Sequence, residues 1–233
     1  MKALIFDVDD TLYDQIQPFK RALENHLKVA ENLLEPIYIA SRKYSDEAFD
    51  AVLSGEMTLK ASHIYRLQRA LADFGLEISG DEALIVQEDY SRYQGQLALS
   101  SEFKEVFAYC RQAGIVMGVI TNGPHQHQLK KINSLDLFRW IPRENVLISG
   151  EVGLAKPSRE IFDLLAEKLQ LSSADIYYVG DSFENDVVGC HNAGWKSIWL
   201  NHRNHLPSQK EIHADYTLQH RSELLPLLKT IRQ

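Results

Sequence analysis

The sequence predicts an α/β fold: a parallel sheet with helices on both faces and a small helical unit inserted after the first strand. Short apolar runs, each bounded by Gly, Asp, Asn or other polar residues, indicate buried strands. From the second run onward these runs alternate with helical patterns, which favours right-handed crossovers and a parallel sheet. About a hundred residues separate the first two runs, too many for an ordinary crossover. Another unit is therefore expected there.

The elements of the main unit follow in chain order. Buried strands are predicted at 3–6, 115–120, 146–148, 176–179 and 197–200. Helices with an apolar face are predicted over 102–113, 125–138, 158–170 and 184–193. The stretch from about 203 to 233 predicts a loop, a short strand at 216–218 and a final helix.

The inserted unit is predicted to be all helical. Four stretches repeat an amphipathic pattern, at 16–34, 37–53, 58–74 and 81–93. Pro18 lies near the start of the first, and Thr58 is a plausible N-cap of the third. The sequence thus predicts two domains, with 1–14 and 96–233 forming one and 15–95 the other.

Composition narrows the class of protein. The 233 residues carry a net charge of -7, and 45% are hydrophobic, which is enough for a globular core. The net negative charge argues against a nucleic-acid partner, because binding to nucleic acids relies on clustered Lys and Arg. No apolar run approaches the roughly 18 residues of a membrane span, and no signal peptide precedes the first strand. We therefore expect a cytoplasmic protein with no membrane partner. Cys110 and Cys190 suggest buried thiols.

Polar residues cluster where the predicted strands end. Ligands of an open parallel sheet bind at the carboxyl ends of its strands. The residues expected there are Asp7, Asp9, Thr11, Thr121, Asn122, Asp181 and Asp186, with Lys156 in a nearby loop. Crowded carboxylates are unfavourable without a cation, and ligands that are all oxygen favour a hard ion such as Mg²⁺. Magnesium fills its remaining positions with water and phosphate oxygens, which predicts phosphate-ester chemistry.

Four segments together resemble a known family. They are DVDDT (7–11), VITNG (119–123), AKP (155–157) and GDSFEND (180–186). In this order they are similar to the four motifs of the haloacid dehalogenase-like hydrolase superfamily, specifically its Mg²⁺-dependent aspartyl phosphatases. The resemblance implies a Rossmann-like core over 1–14 and about 96–233, with 15–95 as an alpha-helical cap domain.

The resemblance also implies a role for each matching residue. Asp7 would be the nucleophile that forms an aspartyl-phosphate, and Asp9 the general acid and then the base. Thr121 and Asn122 would hold phosphoryl oxygens, and Lys156 would separate the nucleophile from the phosphate charge. The metal ligands implied are the Asp7 carboxylate, the Asp9 carbonyl and Asp181, with Asp186 either orienting them or binding through water.

The expected function is a Mg²⁺-dependent phosphomonoester hydrolase acting on a small phosphorylated metabolite, of the nucleotide or sugar phosphate class. Two alternatives stay open: a phosphomutase with the same aspartyl-phosphate chemistry, and a non-catalytic phosphate-binding regulatory protein. Asp9 argues against dehalogenation, because a departing halide needs no proton. Monomer and homodimer are equally open.

Some polar residues near these motifs are expected to have no role in chemistry. Taken singly, Asp10 and Asp14 are typical of an Asx-turn or a helix N-cap. The four histidines near the motifs are expected to be polar loop residues rather than metal ligands: His125, His127, His202 and His205.

Overall fold

The computed structural model describes residues 1–48, 51–52 and 54–231. Within them, six parallel strands form one sheet in the order β3-β2-β1-β4-β5-β6. Their bounds are Ala3–Phe6 (β1), Val116–Thr121 (β2), Val146–Ile148 (β3), Ile176–Gly180 (β4), Lys196–Leu200 (β5) and Tyr216–Leu218 (β6). The predicted α/β class is confirmed.

The central strand β1 shows why the sheet is covered on both faces. All four of its side chains are buried, and successive side chains of a strand point to opposite faces. Phe6 packs edge-on against Phe107 on one face, and Ile5 belongs to a second cluster with Phe162 on the other. An apolar run without alternation is the pattern expected of such a strand.

Helices of the same unit occupy Ser101–Gln112, His125–Ser134, Ser149–Val152, Arg159–Leu169, Val188–Ala193 and Leu224–Ile231. The short helix Ser149–Val152 was not predicted, and two predicted helices differ in their extent or form. The helix predicted over 125–138 ends at Ser134, and Asp136 follows with a left-handed φ of 52°. The helix predicted over 184–193 begins as a π-helical turn at Phe183–Val187; such turns are frequent at functional sites.

The chain forms two compact units, Met1–Asp14 with Leu97–Gln233, and Gln15–Gln96. The second unit contains helices at Ile16–Glu24, Glu31–Glu47, Leu59–Ala72 and Gly80–Tyr93. Its own apolar cluster includes Phe19, Ile37 and Leu71. Residues 49, 50 and 53 of the helix predicted over 37–53, and 232–233 of the closing stretch, lie outside the described residues. The role of the second unit as a cap domain stays a prediction.

The single helix predicted over 16–34 is wrong, because the first helix ends at Glu24. The side chain of Asn25 donates to Asp89 Oδ2 at 2.9 Å and to the Tyr93 hydroxyl at 2.7 Å. His26 Nε2 lies 3.0 Å from the same carboxylate oxygen. These contacts hold the turn that separates the two helices.

No helix in the described part of the chain combines the length and the apolar character needed to cross a membrane.

Candidate active site

The sheet order brings three polar strand ends together. Strands β2, β1 and β4 are neighbours, and all three are parallel. Asp7 directly follows β1, Thr121 ends β2, and Asp181 directly follows β4. The chain leaves β1 toward β2 on one side and returns to β4 on the other, which makes this a switch point, where α/β sheets bind their ligands.

Lys156 connects the groups of this site. Its Nζ donates to Asp7 Oδ1 and to Asp186 Oδ1, each at 2.7 Å, and to the Tyr178 hydroxyl at 2.8 Å. The Tyr178 hydroxyl donates in turn to the carbonyl of Ile120. The lysine side chain is only 3% exposed. Burial lowers the pKa of an ammonium, but Asp186 and Asp7 outweigh it and raise the pKa of Lys156, which stays charged.

Asp7, Asp181 and Asp186 form a compact carboxylate group. One oxygen of each lies within 4.8 Å of the others. Burial raises the pKa of Asp7 to about 7, although Lys156 opposes it. Burial, followed by the charge of Asp7, raises the pKa of Asp181 well above its usual range. The ionised forms of these crowded carboxylates are destabilised in the absence of a cation. A small hard divalent cation bound by their oxygens would stabilise them.

Asp186 is held in this group by the loop that follows β4. Its Oδ2 accepts the backbone N–H of Ser182 at 2.9 Å. A Cβ at Gly180 would lie 2.2 Å from the same oxygen. Position 180 therefore has no room for a side chain while the carboxylate stays in place.

The end of β2 and the residue that follows it carry a buried hydroxyl and a hydrogen-bonded side-chain amide. Thr121 Oγ1 is buried and makes no hydrogen bond with the described protein. Asn122 Nδ2 donates to the carbonyl of Lys156 at 2.8 Å, and its Oδ1 accepts the N–H of Lys156 at 2.9 Å. The Asn122 side chain thus holds the loop that carries Lys156.

Asp9 lies apart from the carboxylate group. Both its oxygens accept from Lys131 Nζ at 2.7 Å, and it also accepts from the Tyr13 hydroxyl and from Gln128 Nε2. Burial would raise the pKa of Asp9, but Lys131 and the other donors hold it well below its usual range. To act as an acid, Asp9 would take up a proton on one oxygen, and the other oxygen would keep its hydrogen bond to Lys131.

The loop after β1 is fixed by two arginines. Arg203 binds Asp10 Oδ1 at 2.9 Å and Asp14 Oδ1 at 2.7 Å. Arg221 donates to three backbone carbonyls of the loop, those of residues 10, 11 and 13. Asp10 has a left-handed φ of 57°. Asp10 and Asp14 are thus ion-paired, an arrangement that local turn or N-cap rules did not predict.

Two of the four histidines near the motifs lie close to acidic residues outside the carboxylate group. Among the described residues, the group of potential metal ligands contains aspartates only. His125 Nδ1 lies 3.4 Å from Glu151, and His202 Nε2 lies 3.5 Å from Asp10.

Sequence reasoning missed five residues of this region: Gln128, Lys131, Tyr178, Arg203 and Arg221. A signal existed for two of them. Gln128 and Lys131 lie three positions apart on the same face of a helix as the buried Ile132 and Leu135. Polar residues on a buried helix face need partners, and so indicate a polar site.

Known proteins are similar to this chain over most of its length. A family model described as haloacid dehalogenase-like hydrolase matches residues 1–194. The putative HAD-hydrolase YfnB of Bacillus subtilis is 25% identical over 234 residues, 97% of this chain and 95% of the relative. The N-acylneuraminate-9-phosphatase of Homo sapiens is 25% identical over 248 residues, 99% of this chain and 95% of that protein.

Solved structures share the fold. A crystal structure of the Bacillus subtilis YfnB protein bound to magnesium superposes with a TM-score of 0.71 at 24% identity. The match covers 97% of this chain and 98% of that one. At this identity the likeness concerns the fold alone.

Proposed function

Because the chain belongs to the haloacid dehalogenase-like hydrolase family, we propose that it is a Mg²⁺-dependent phosphomonoester hydrolase acting on a small phosphorylated metabolite. One observation carries the proposal: the carboxylate of Asp7 lies at the end of the central strand, bound to Lys156 and grouped with Asp181 and Asp186. The human relative is named for a sugar phosphate substrate, which favours the sugar phosphate class over nucleotides.

The carboxylate group fits a metal in its chemistry. Asp7 and Asp181 would hold Mg²⁺ together with the backbone carbonyl of Asp9 and, directly or through water, Asp186. When bound, Mg²⁺ neutralises the carboxylates and stabilises the charge that develops on the phosphoryl oxygens. The magnesium in the YfnB structure belongs to that protein, and it supports the same ion here.

The residues divide the chemistry between them. A carboxylate oxygen of Asp7 attacks phosphorus, the bond from phosphorus to the ester oxygen breaks, and Asp9 gives its proton to the departing alkoxide. Asp9 then takes a proton from water, which attacks phosphorus and releases phosphate from Asp7. Thr121 Oγ1 and the backbone N–H of Asn122 bind phosphoryl oxygens. Lys156 holds Asp7 in place and offsets its charge as the anionic phosphate approaches.

The proposal is tested by phosphate release from a panel of sugar phosphates, nucleotides, phosphoglycolate and p-nitrophenyl phosphate, with Mg²⁺ and with EDTA. We expect release that requires Mg²⁺ and is greatest for a sugar phosphate. Silence across the panel in the presence of Mg²⁺ would contradict a hydrolase. Conversion of one sugar phosphate into its isomer, without free phosphate, would favour the phosphomutase.

Mg²⁺ is expected to stabilise the protein more at pH 8 than at pH 5.5. Burial raises the pKa of Asp7 to about 7, from 3.8 in the unfolded chain, and raises that of Asp181 too. The metal-free folded state therefore binds more protons than the unfolded state, and it loses stability as pH rises through this interval. Mg²⁺ competes with those protons, so its effect grows with pH.

Thermal unfolding with saturating Mg²⁺ or with EDTA measures this difference. At a concentration about 100 times Kd, Tm should rise by about 5 °C or more at pH 8, and by less at pH 5.5. The variant Asp181→Asn should lose most of the shift, whereas Asp163→Asn, a control on the Arg159–Leu169 helix, should keep it. Equal shifts at both pH values would contradict the expected proton competition.

A further inference from the structure

Asp9 is held by more hydrogen bonds than its exposure requires. Its side chain is 22% exposed, so water could satisfy part of it. Instead Oδ1 accepts from Lys131 and Tyr13, and Oδ2 accepts from Lys131 and Gln128. Four hydrogen bonds from three side chains leave the carboxylate a single orientation.

The Lys131 side chain occupies a buried position that is energetically unfavourable for a charged group. Its side chain is only 3% exposed, and burying an ammonium is unfavourable unless its partners compensate. Both Asp9 oxygens lie 2.7 Å from Nζ. An ammonium that contacts both oxygens fixes the rotation of the carboxylate as well as its position.

Gln128 ties the same carboxylate to the segment after β2. Its Nε2 donates to Asp9 Oδ2 at 2.9 Å and to the backbone carbonyl of Asn122 at 2.5 Å. Two acceptors facing one nitrogen define the amide's orientation. A Cβ at Gly123 would lie 2.7 Å from this nitrogen, so the lack of a side chain at that position makes the contact possible.

We propose that Lys131 and Gln128 are positioning residues for Asp9. They set the direction of the Asp9 carboxylate relative to the Asp7 carboxylate and the segment after β2, and act on the reaction only through Asp9. This inference rests on the proposed function. An ion pair that merely stabilised the fold would affect every substrate alike, whereas a positioning role must appear in proton transfer to the leaving group.

The test compares esters that differ in their need for that proton. In single-turnover experiments, Lys131→Met should slow release of the alcohol from an alkyl phosphate by about 100-fold, the lower end of what general acid catalysis supplies. Release of p-nitrophenolate, which departs without a proton, should slow by less than about tenfold. KM should stay within about twofold in both cases. Lys131→Arg keeps two donors on one group and should recover part of the alkyl phosphate rate.

Two controls separate this role from a general loss of activity. Lys130→Met, at an exposed position of the same helix, should leave both rates unchanged. The double variant Asp9→Asn with Lys131→Met should be no slower than Asp9→Asn alone, because residues that act through one group are not additive. Additive losses, or equal losses on both esters, would overturn the proposal.

A crystal structure tests this inference independently of the proposed function. In a crystal structure of Lys131→Met, the Asp9 carboxylate should be rotated from the orientation that it has in the wild-type crystal structure. An unmoved carboxylate would overturn the positioning role. If the wild-type protein hydrolyses no ester, the proposed function fails, and the crystal structures still decide whether Lys131 sets the orientation of Asp9.

Discussion

Replacing Asp7 by asparagine is expected to reduce phosphate release to background, a loss on the order of 10⁴-fold or more. The amide has the shape of the carboxylate but is a far weaker nucleophile, so no aspartyl-phosphate can form. Phosphate release from the best substrate of the panel, with saturating Mg²⁺, measures the effect. Mass spectrometry of the quenched protein should detect a phosphorylated Asp7 in the wild type and none in Asp7→Asn.

The control for this substitution is Asp163→Asn, which removes a carboxylate that pairs with Arg159 on a helix surface. It should keep full activity. Asp7→Asn should fold normally, because it removes one charge from a crowded group whose members already resist ionisation. A folded Asp7→Asn protein that retained Mg²⁺-dependent release would mean that another group attacks phosphorus.

The sequence was sufficient to predict the strands, because a strand buried on both faces has no polar position. The run at 3–6 and the observed strand Ala3–Phe6 coincide, and β2 differs from its prediction by one residue at each end. The π-helical turn at Phe183–Val187 was not predictable in this way. Its form depends on two contacts of the Asp186 carboxylate, one with the Ser182 N–H and one with Lys156. The periodicity of apolar residues gives no information about such contacts.

The candidate site was predictable where its residues follow strand ends. Asp7, Thr121 and Asp181 lie in order along the chain, and parallel strands bring such residues to one edge. Arg203 and Arg221 show the limit of that reasoning. They reach the loop after β1 from about two hundred residues away in sequence, through contacts that only the folded chain creates.

One local prediction failed because side-chain contacts overrode the helical spacing of apolar residues. Leu27, Ala30 and Leu34 continue the apolar spacing of the first inserted helix, yet the contacts of Asn25 and His26 with Asp89 favour a turn. The binding of phosphoryl oxygens by Asn122 stays a prediction for its backbone N–H, and the contact of its side chain with the Lys156 backbone was not predicted. Asn and Asp side chains readily form hydrogen bonds with nearby backbone groups. Their position in the sequence alone therefore does not show which group they bind.

Replacing Lys156 by methionine is expected to cost both activity and stability. Asp7 and Asp186 would each lose a hydrogen-bonded cation while staying buried. Removing one partner of a buried ion pair costs about 3 kcal/mol or more, although protonation of the carboxylates offsets part of this. Loss of the cation beside the nucleophile should slow phosphate release by on the order of 10²-fold. Urea unfolding and steady-state kinetics measure the two effects.

The pH dependence separates the electrostatic role of Lys156 from a packing role. Lys156 lowers the pKa of Asp7 against the effect of burial, so its removal should raise that pKa further. Asp7 must be ionised to attack, and the rising limb of the pH–rate profile should therefore move to higher pH in Lys156→Met. Lys168→Met, at an exposed position of the Arg159–Leu169 helix, should leave the profile in place. A slower Lys156→Met enzyme with an unshifted limb would mean that the lysine acts by holding the Asp7 and Asp186 carboxylates in place, and that the charge on Asp7 is set by its other neighbours.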